Sequence, residues 1–549
     1  MRVSRHILVL LVCLLSFSTS MAIQRRRDPA NPTPAYILPY DSYASGPEAS
    51  VSRRIMTRAA MASGSYSTGR VPTTGDVEIP VILVDFPDVR FSISDTLKLI
   101  ETFDKILNGP VDKDREPFTY KDCVIYPPTG SVAEYFRDQS YGRYRPSFKI
   151  TGPVHPSRNM ENYGRGSESN VLNLVREACD SVMSRGLADL TRYVENDSLK
   201  QLLIIYAGQG ENYPGSDPRL IWPHYNTLTL SYISSSLFSH GIKSITYACS
   251  NELFWDSDTI IDGSGVICHE FSHILGLQDY YDTYNYSGAE INSAMGYWSL
   301  MDYGSYENEG FSPVGYSAFD KFSLGWLDLE EIDAPADYTL HEIGTEPDPA
   351  NGVHTAYRLS TPYDNIYFIM ENRQKTGWYR YSATEGMLVT AVNYNASNWN
   401  NNTINVSTKR LYSVNADNDN NRKTNAGDLF PYGDEDSLTT AGSPSLSIDG
   451  TAPYYSLYGI RNQNGLVTFT ISSKMPARVQ EHADSDVEIN INDGVLTVSA
   501  PCGSRLSVHD LSGHAILETV MTEPTFQTVL PEHGVWLIRC GNKTRKVRN

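Results

Sequence analysis

The stretch that most limits what this chain can be is Gly263-Ser-Gly-Val-Ile-Cys-His-Glu-Phe-Ser-His-Ile-Leu-Gly-Leu-Gln-Asp279. It holds H-E-x-x-H followed by x-x-G-x-x-D. Val266, Phe271, Ile274 and Leu275 recur near helical spacing, which predicts a helix from Gly265 to Leu275. His269 and His273 share one face of that helix, so both imidazoles reach a single ion. Glu270 is displaced around the helix, which suits a base acting on water beside a metal rather than a ligand. Gly276 can take positive φ and turn the chain sharply. The turn would return Asp279 to the two histidines. Three protein ligands with a fourth position open is the arrangement of a catalytic zinc site, and imidazole and carboxylate donors fit zinc. With 12 histidines in 549 residues, chance gives H-E-x-x-H in about one or two chains per hundred. The added Gly and Asp at fixed spacing favour the catalytic reading over a buried structural helix. A thermolysin-like site would need a later ligand such as Glu290 and would leave Gly276 and Asp279 without a role. Cys268 and His269 make no nucleophile–base pair, because helix neighbours do not face each other.

The start of the chain predicts export. Met1-Arg-Val-Ser-Arg5 is basic, Ile7 to Phe17 is an apolar run too short to span a bilayer, and Ser20-Met21-Ala22 offers small residues for cleavage. Residues 1–22 are therefore read as a signal peptide, and no later stretch is apolar enough for a transmembrane segment. The formal net charge of −19 repels phosphate backbones and excludes nucleic acid as a favoured partner. Six cysteines lie beyond the signal (Cys123, Cys179, Cys249, Cys268, Cys502 and Cys540), an even number that leaves disulfides and buried thiols both open.

Residues 23–76 read as a leader, with Arg25-Arg26-Arg27, Arg53-Arg54, Arg58 and Arg70 scattered among Pro, Ser, Ala and Gly. The leader has no Cys, so a thiolate cannot cap a metal from it. If it confers latency, a carboxylate such as Asp28 or Asp41, or steric blocking, must do so. Folded structure is expected from Val77, where VEIPVILVDF is a buried strand, and KQLLIIYA (Lys200–Ala207) is a second. Helical patterns at Asp95–Leu107, Ser131–Arg137 and Asn170–Arg185 alternate with the strands, which predicts an α/β (α+β) catalytic domain with a mixed sheet over residues 77–334. From 335 to 472 short strands alternate with Asn, Asp, Gly and Pro clusters and read as a β-sandwich. Residues 473–485 read as a linker and 486–549 as a small all-β domain.

The zinc motif resembles the metzincin clan of zinc peptidases, whose third ligand is usually His. Within that clan it is similar to the immune inhibitor A family, where the third ligand is Asp. Val81-Ile-Leu-Val-Asp-Phe-Pro-Asp88, Ser131-Val-Ala-Glu-Tyr-Phe-Arg-Asp-Gln-Ser-Tyr-Gly142, Tyr206-Ala-Gly-Gln-Gly210, Ile221-Trp-Pro-His224 and Ser317-Ala-Phe-Asp-Lys-Phe-Ser-Leu-Gly-Trp326 resemble further segments of that family. Gly296-Tyr-Trp-Ser-Leu-Met-Asp-Tyr-Gly304 resembles its Met-turn, with Met301 as the Met. The resemblance implies a secreted or cell-surface zinc endopeptidase acting on protein or peptide substrates. Its metal ligands would be His269, His273 and Asp279, and its base Glu270. The alternative is a non-catalytic adhesin that keeps a structural metal.

Two departures stand out. Ala391-Val-Asn393 lacks the family's His-Val-Asp run. Ser299-x-Met301-x-Tyr303 looks like the astacin pattern, which makes Tyr303 a candidate transition-state donor beside its reading as a packed aromatic. His224 is expected to be a hydrogen-bonded structural histidine rather than a substrate contact. Glu252 is open between calcium binding and neutralising a partner. Asp417, Asp419 and Asp428 offer the oxygens calcium takes, but the spacing is not an EF-hand and a solvated loop is expected. Finally, Leu506-Ser-Val-His-Asp-Leu-Ser-Gly513 with Gly534-Val-Trp-Leu-Ile-Arg539 and Lys543–Val547 resembles the sorting domain of type IX secretion substrates. That implies outer-membrane secretion machinery as a partner.

Overall fold

The computed structural model describes residues 71–164, 168–213, 216–217, 219–283, 294–419, 424, 426–473, 487–492, 494–510, 515–530, 535–540 and 543–548, with the backbone of Ser20–Met21, Gln24–Asp28 and Asn31–Ile37. The expectations for the signal's apolar run, Asp41, Arg53-Arg54, Arg58, Arg70, Glu290 and almost all of the linker fall outside these residues. The chain divides into two compact units, residues 1–474 and 475–549.

The first unit is built on a mixed sheet. Its main strands are β1 (Gly75–Val84), β2 (Tyr144–Val154), β3 (Ser198–Gln209), β4 (His224–Leu228) and β5 (Ser244–Leu253). They lie in the order β4-β5-β3-β1-β2, parallel except for β4 against β5. The central strands β1 and β3 read as near-continuous apolar runs because both faces are covered. In β1, Ile79, Val81 and Leu83 face one core while Ile82 and Val84 face another. The first core receives α1 (Thr96–Leu107), α2 (Val132–Gln139) and α4 (Gly265–Leu275), and the second receives α3 (Glu168–Ser184). Helix starts follow local rules. Asp95 caps α1 through the N–H groups of Leu97 and Lys98, and Ser131 with Glu134 forms a capping box on α2.

Two features of the N-terminal region add to the sequence reading. Ordered packing begins before Val77, since Val71 is already buried in the first core and β1 starts at Gly75. Ser20–Met21 pairs with Tyr225 and His224 at the sheet edge, where open backbone groups accept an extended segment, and Gln24–Asp28 pairs with Asn31–Ile37.

Beyond 330, five strands (Glu330–Glu331, Ala356–Ser360, β6 at Ile366–Arg373, β7 at Gly386–Asn393, Leu411–Ser413) form one sheet and three more form another. A short helix, Ala396–Asn400, interrupts this β-rich region. The texture changes near 334 but the core does not break there. In β6, Phe368 and Met370 face the core shared with the three-stranded sheet, whereas Tyr367 and Ile369 join the first core. Side chains from this region also plug glycine sockets in the preceding one. A Cβ on Gly130 would lie 2.8 Å from the Trp378 ring, and one on Gly315 would lie 2.3 Å from the Tyr379 ring. The described residues of the second unit form seven strands in a three-stranded and a four-stranded sheet around Ile489, Leu496, Val498, Leu506, Val508 and Ile538. No helix among the described residues is long and apolar enough to cross a membrane.

Candidate metal centre

Helix α4 spans Gly265–Leu275, the bounds its periodicity predicts, and every residue of it is buried. Its N-terminal end sits against the 303–310 segment, and glycine makes that approach feasible. A Cβ on Gly265 would lie 1.9 Å from the Ser305 carbonyl oxygen, and one on Gly263 would lie 2.2 Å from that of Gly310. At the other end Gly276 has φ 109° and ψ 21°, a conformation that favours glycine. The N–H groups of Gly276 and Leu277 both donate to the Ser272 carbonyl, which closes the turn.

That turn does two things. It places the Leu277 carbonyl 2.8 Å from His273 Nδ1, and it returns Asp279 to the helix. His269 Nδ1 is likewise 2.8 Å from the Leu300 carbonyl, in the segment that carries Met301. Because a carbonyl only accepts, both Nδ1 atoms carry the proton and both Nε2 atoms present lone pairs. The two Nε2 atoms are 3.3 Å apart, and Asp279 Oδ1 lies 3.2 Å from one and 3.3 Å from the other.

Three electron-rich atoms at such spacing, all buried, repel one another unless a cation lies among them. The edge of a tetrahedron with ligand bonds of about 2.0–2.1 Å is about 3.3–3.4 Å, which these separations match. Among the described residues no other group of three or more His, Cys, Asp and Glu side chains is arranged to hold a metal. The donor set therefore fits a divalent ion of the zinc type. Glu270, on the same helix, is fully buried, and neither carboxylate oxygen has a hydrogen-bond partner among the described residues. Burial, and after it the Asp279 charge, push its carboxyl well above the ordinary range.

The surrounding groups fix the frame. Tyr280 N–H donates to the Met301 carbonyl at 2.9 Å. Asp302 Oδ2 collects the N–H groups of Ala294, Met295 and Gly296 at 2.8–3.1 Å. The buried Glu371–Arg373 pair on β6 reaches the same segment, with Arg373 Nη2 donating to the Trp298 carbonyl at 3.0 Å.

The remaining candidates fall into several environments. Tyr303 is buried in an aromatic cluster with Tyr213, Tyr281 and Tyr306. Two other tyrosines lie against the candidate ligands: Tyr281, 6.4 Å from the His269 ring at 13° with its hydroxyl bonded to Asp279, and Tyr225, 5.7 Å from the His273 ring at 34°. His224 is structural. Its Nδ1–H donates to the Trp222 carbonyl, its Nε2 accepts from the Tyr247 hydroxyl, both at 2.7 Å, and burial draws its pKa down to about 4. Glu252 is a buried acceptor for Ser92 N–H, Ser92 Oγ and Gly208 N–H at 2.7–2.9 Å, tying loop to sheet. Asp428 corrects the expectation of a solvated loop: it is buried and accepts from the Trp298 indole at 2.8 Å. Asp419 is exposed, and Asp417 accepts from the Asp419 N–H. The six cysteines named above are all unbonded thiols.

Sequence spacing did not reach Asn402. Its Oδ1 accepts from Asp279 N–H at 2.8 Å and its Nδ2 donates to Asp279 Oδ2 at 2.6 Å.

The fold and centre thus define a mixed α/β domain with a buried His-His-Asp triad and an adjacent glutamate on one helix. Residues 65–327 match the model of the immune inhibitor A peptidase M6 catalytic domain. Pre-pro-metalloprotease PrtV of Vibrio cholerae is 28% identical over 314 residues, covering 49% of this chain and 32% of PrtV. Immune inhibitor A of Bacillus thuringiensis subsp. alesti is 26% identical over 322 residues, covering 48% and 44%. The chain thus spans less than half the length of either relative. Wild-type OgpA from Akkermansia muciniphila superposes with a TM-score of 0.24 at 8% identity, covering 90% of this chain and 100% of its own, too weak a likeness to inform the fold.

Proposed function

We propose that this protein is an exported zinc-dependent endopeptidase that cleaves internal peptide bonds of proteins. One observation carries the reading: His269 Nε2, His273 Nε2 and Asp279 Oδ1 converge at 3.2–3.3 Å while each imidazole's other nitrogen is held by a backbone carbonyl. The name of one relative, a pre-pro-metalloprotease, and the peptidase description of the matching family model agree with it. His269, His273 and Asp279 would hold the zinc, which supplies Lewis acidity toward the scissile carbonyl when bound. Glu270 takes the proton of the attacking water as its oxygen bonds the carbonyl carbon. It then delivers that proton to the leaving nitrogen as the C–N bond breaks. The lack of a competing hydrogen bond on either Glu270 oxygen suits this shuttle. Glu270→Ala should retain zinc and the folded state while losing nearly all casein cleavage. Undiminished cleavage by that variant would overturn the mechanism.

The export reading rests on the N-terminal sequence and on the C-terminal unit, which holds none of the catalytic candidates. Expression without residues 487–549 is expected to leave active enzyme inside the cell envelope. Release of the truncated chain into the medium would make the tail a binding module instead.

A further inference from the structure

The ligand Asp279 has two carboxylate oxygens, and only Oδ1 faces both histidines. Beside the Tyr281 hydroxyl, a second group that holds this carboxylate lies beyond the stretch 65–327 that matches the peptidase family. Asn402 grips Asp279 at both its backbone N–H and its Oδ2. The orientation of the amide is unambiguous, because the N–H must meet Oδ1 and the carboxylate must meet Nδ2. Asn402 is 6% exposed and has φ 52°, a left-handed conformation that asparagine tolerates better than most residues.

The rest of the loop supports that grip. The Asn402 carbonyl accepts from Thr283 Oγ1 at 3.0 Å. Asn405 Nδ2 donates to the carbonyls of Tyr280 and Leu411 at 2.7 and 2.8 Å, while its Oδ1 accepts from the N–H groups of Arg410 and Leu411. Three positions along 279–283 are therefore tied to 402–405. Trp399, just before the loop, packs on Tyr394 and Phe319 and seats it on the core.

We propose that Asn402 is a positioning residue for the metal, holding the Asp279 carboxylate so that one oxygen is presented to the ion. The inference rests on the zinc reading above. A ligand free to rotate loses entropy on binding the ion, and partners of this kind typically carry about 10–100-fold in metal affinity. The β-rich region after 334 is then part of the metal centre.

The test uses the full chain, with zinc affinity read by competition against a chromogenic chelator and Tm read with zinc and with excess chelator. Two variants are needed. Asn402→Asp keeps the shape and the left-handed backbone but sets a like charge against Oδ2. Asn402→Gly removes the side chain without backbone strain. Both should bind zinc about 10–100-fold more weakly, with a smaller zinc-dependent rise in Tm. A residue that only anchors the loop would lower Tm in chelator and leave zinc affinity unchanged, and that result overturns the inference. Unchanged or tighter binding in whichever variant folds does the same, while a wild-type chain that binds no zinc overturns both the inference and the zinc reading.

Discussion

The helix and turn at 265–279 and the loop at 398–411 meet at Asp279 and are built in opposite ways. The first is self-contained: its helix, its stop at Gly276 and its chelating side chains all follow from spacing within one short segment. The second has little regular structure of its own, and its asparagines are satisfied by backbone groups within the loop and by residues over a hundred positions earlier. The first segment supplies donors, and the second supplies their aim. A metal centre can thus be compact in sequence where it bonds the ion and dispersed where it is made rigid.

The largest expected effect lies in the first segment. Asp279→Ala should abolish tight zinc binding and casein cleavage together, because two imidazoles alone leave the site one donor short. Retained zinc in that variant, by metal analysis of purified protein, would break the comparison at its centre. An intermediate effect is expected at the hinge. Gly276→Ala forces a Cβ into a backbone with φ 109° and should cost about 1–3 kcal/mol of stability, read as a fall in Tm. It should also weaken zinc binding, since the Leu277 carbonyl that orients His273 follows directly. The smallest effect is expected from Glu290→Ala, which should leave zinc content and activity as they are. Loss of zinc there would move the centre to the thermolysin-like ligand set and strip Asp279 of its role.

What could be read from sequence follows the same division. The helix bounds, the Gly276 turn, the convergence of His269, His273 and Asp279, and the Ser131–Glu134 capping box all depend on neighbours a few residues apart. Asn402 and Asn405 lie in one Asn-rich stretch and Asp428 in a second Asn/Asp-rich one, and such composition reads as solvated. Their burial comes from partners the local pattern does not contain, such as the Trp298 indole for Asp428. The strand β6 shows the same limit. Its sequence is largely apolar, but only the fold reveals that its two faces serve two cores.

The glycine sockets carry a practical consequence for anyone who would shorten the chain. A fragment ending at Leu327, where the family match stops, would keep the hollows at Gly130 and Gly315 but lose the Trp378 and Tyr379 rings that fill them. It would also strip Tyr367, Ile369, Leu388 and Val392 from the first core. Such a fragment would present sticky, concave patches to the medium and cluster with its own copies. A shortened chain meant to stay in solution should run through Ser472, the last residue of the strand that closes the three-stranded sheet.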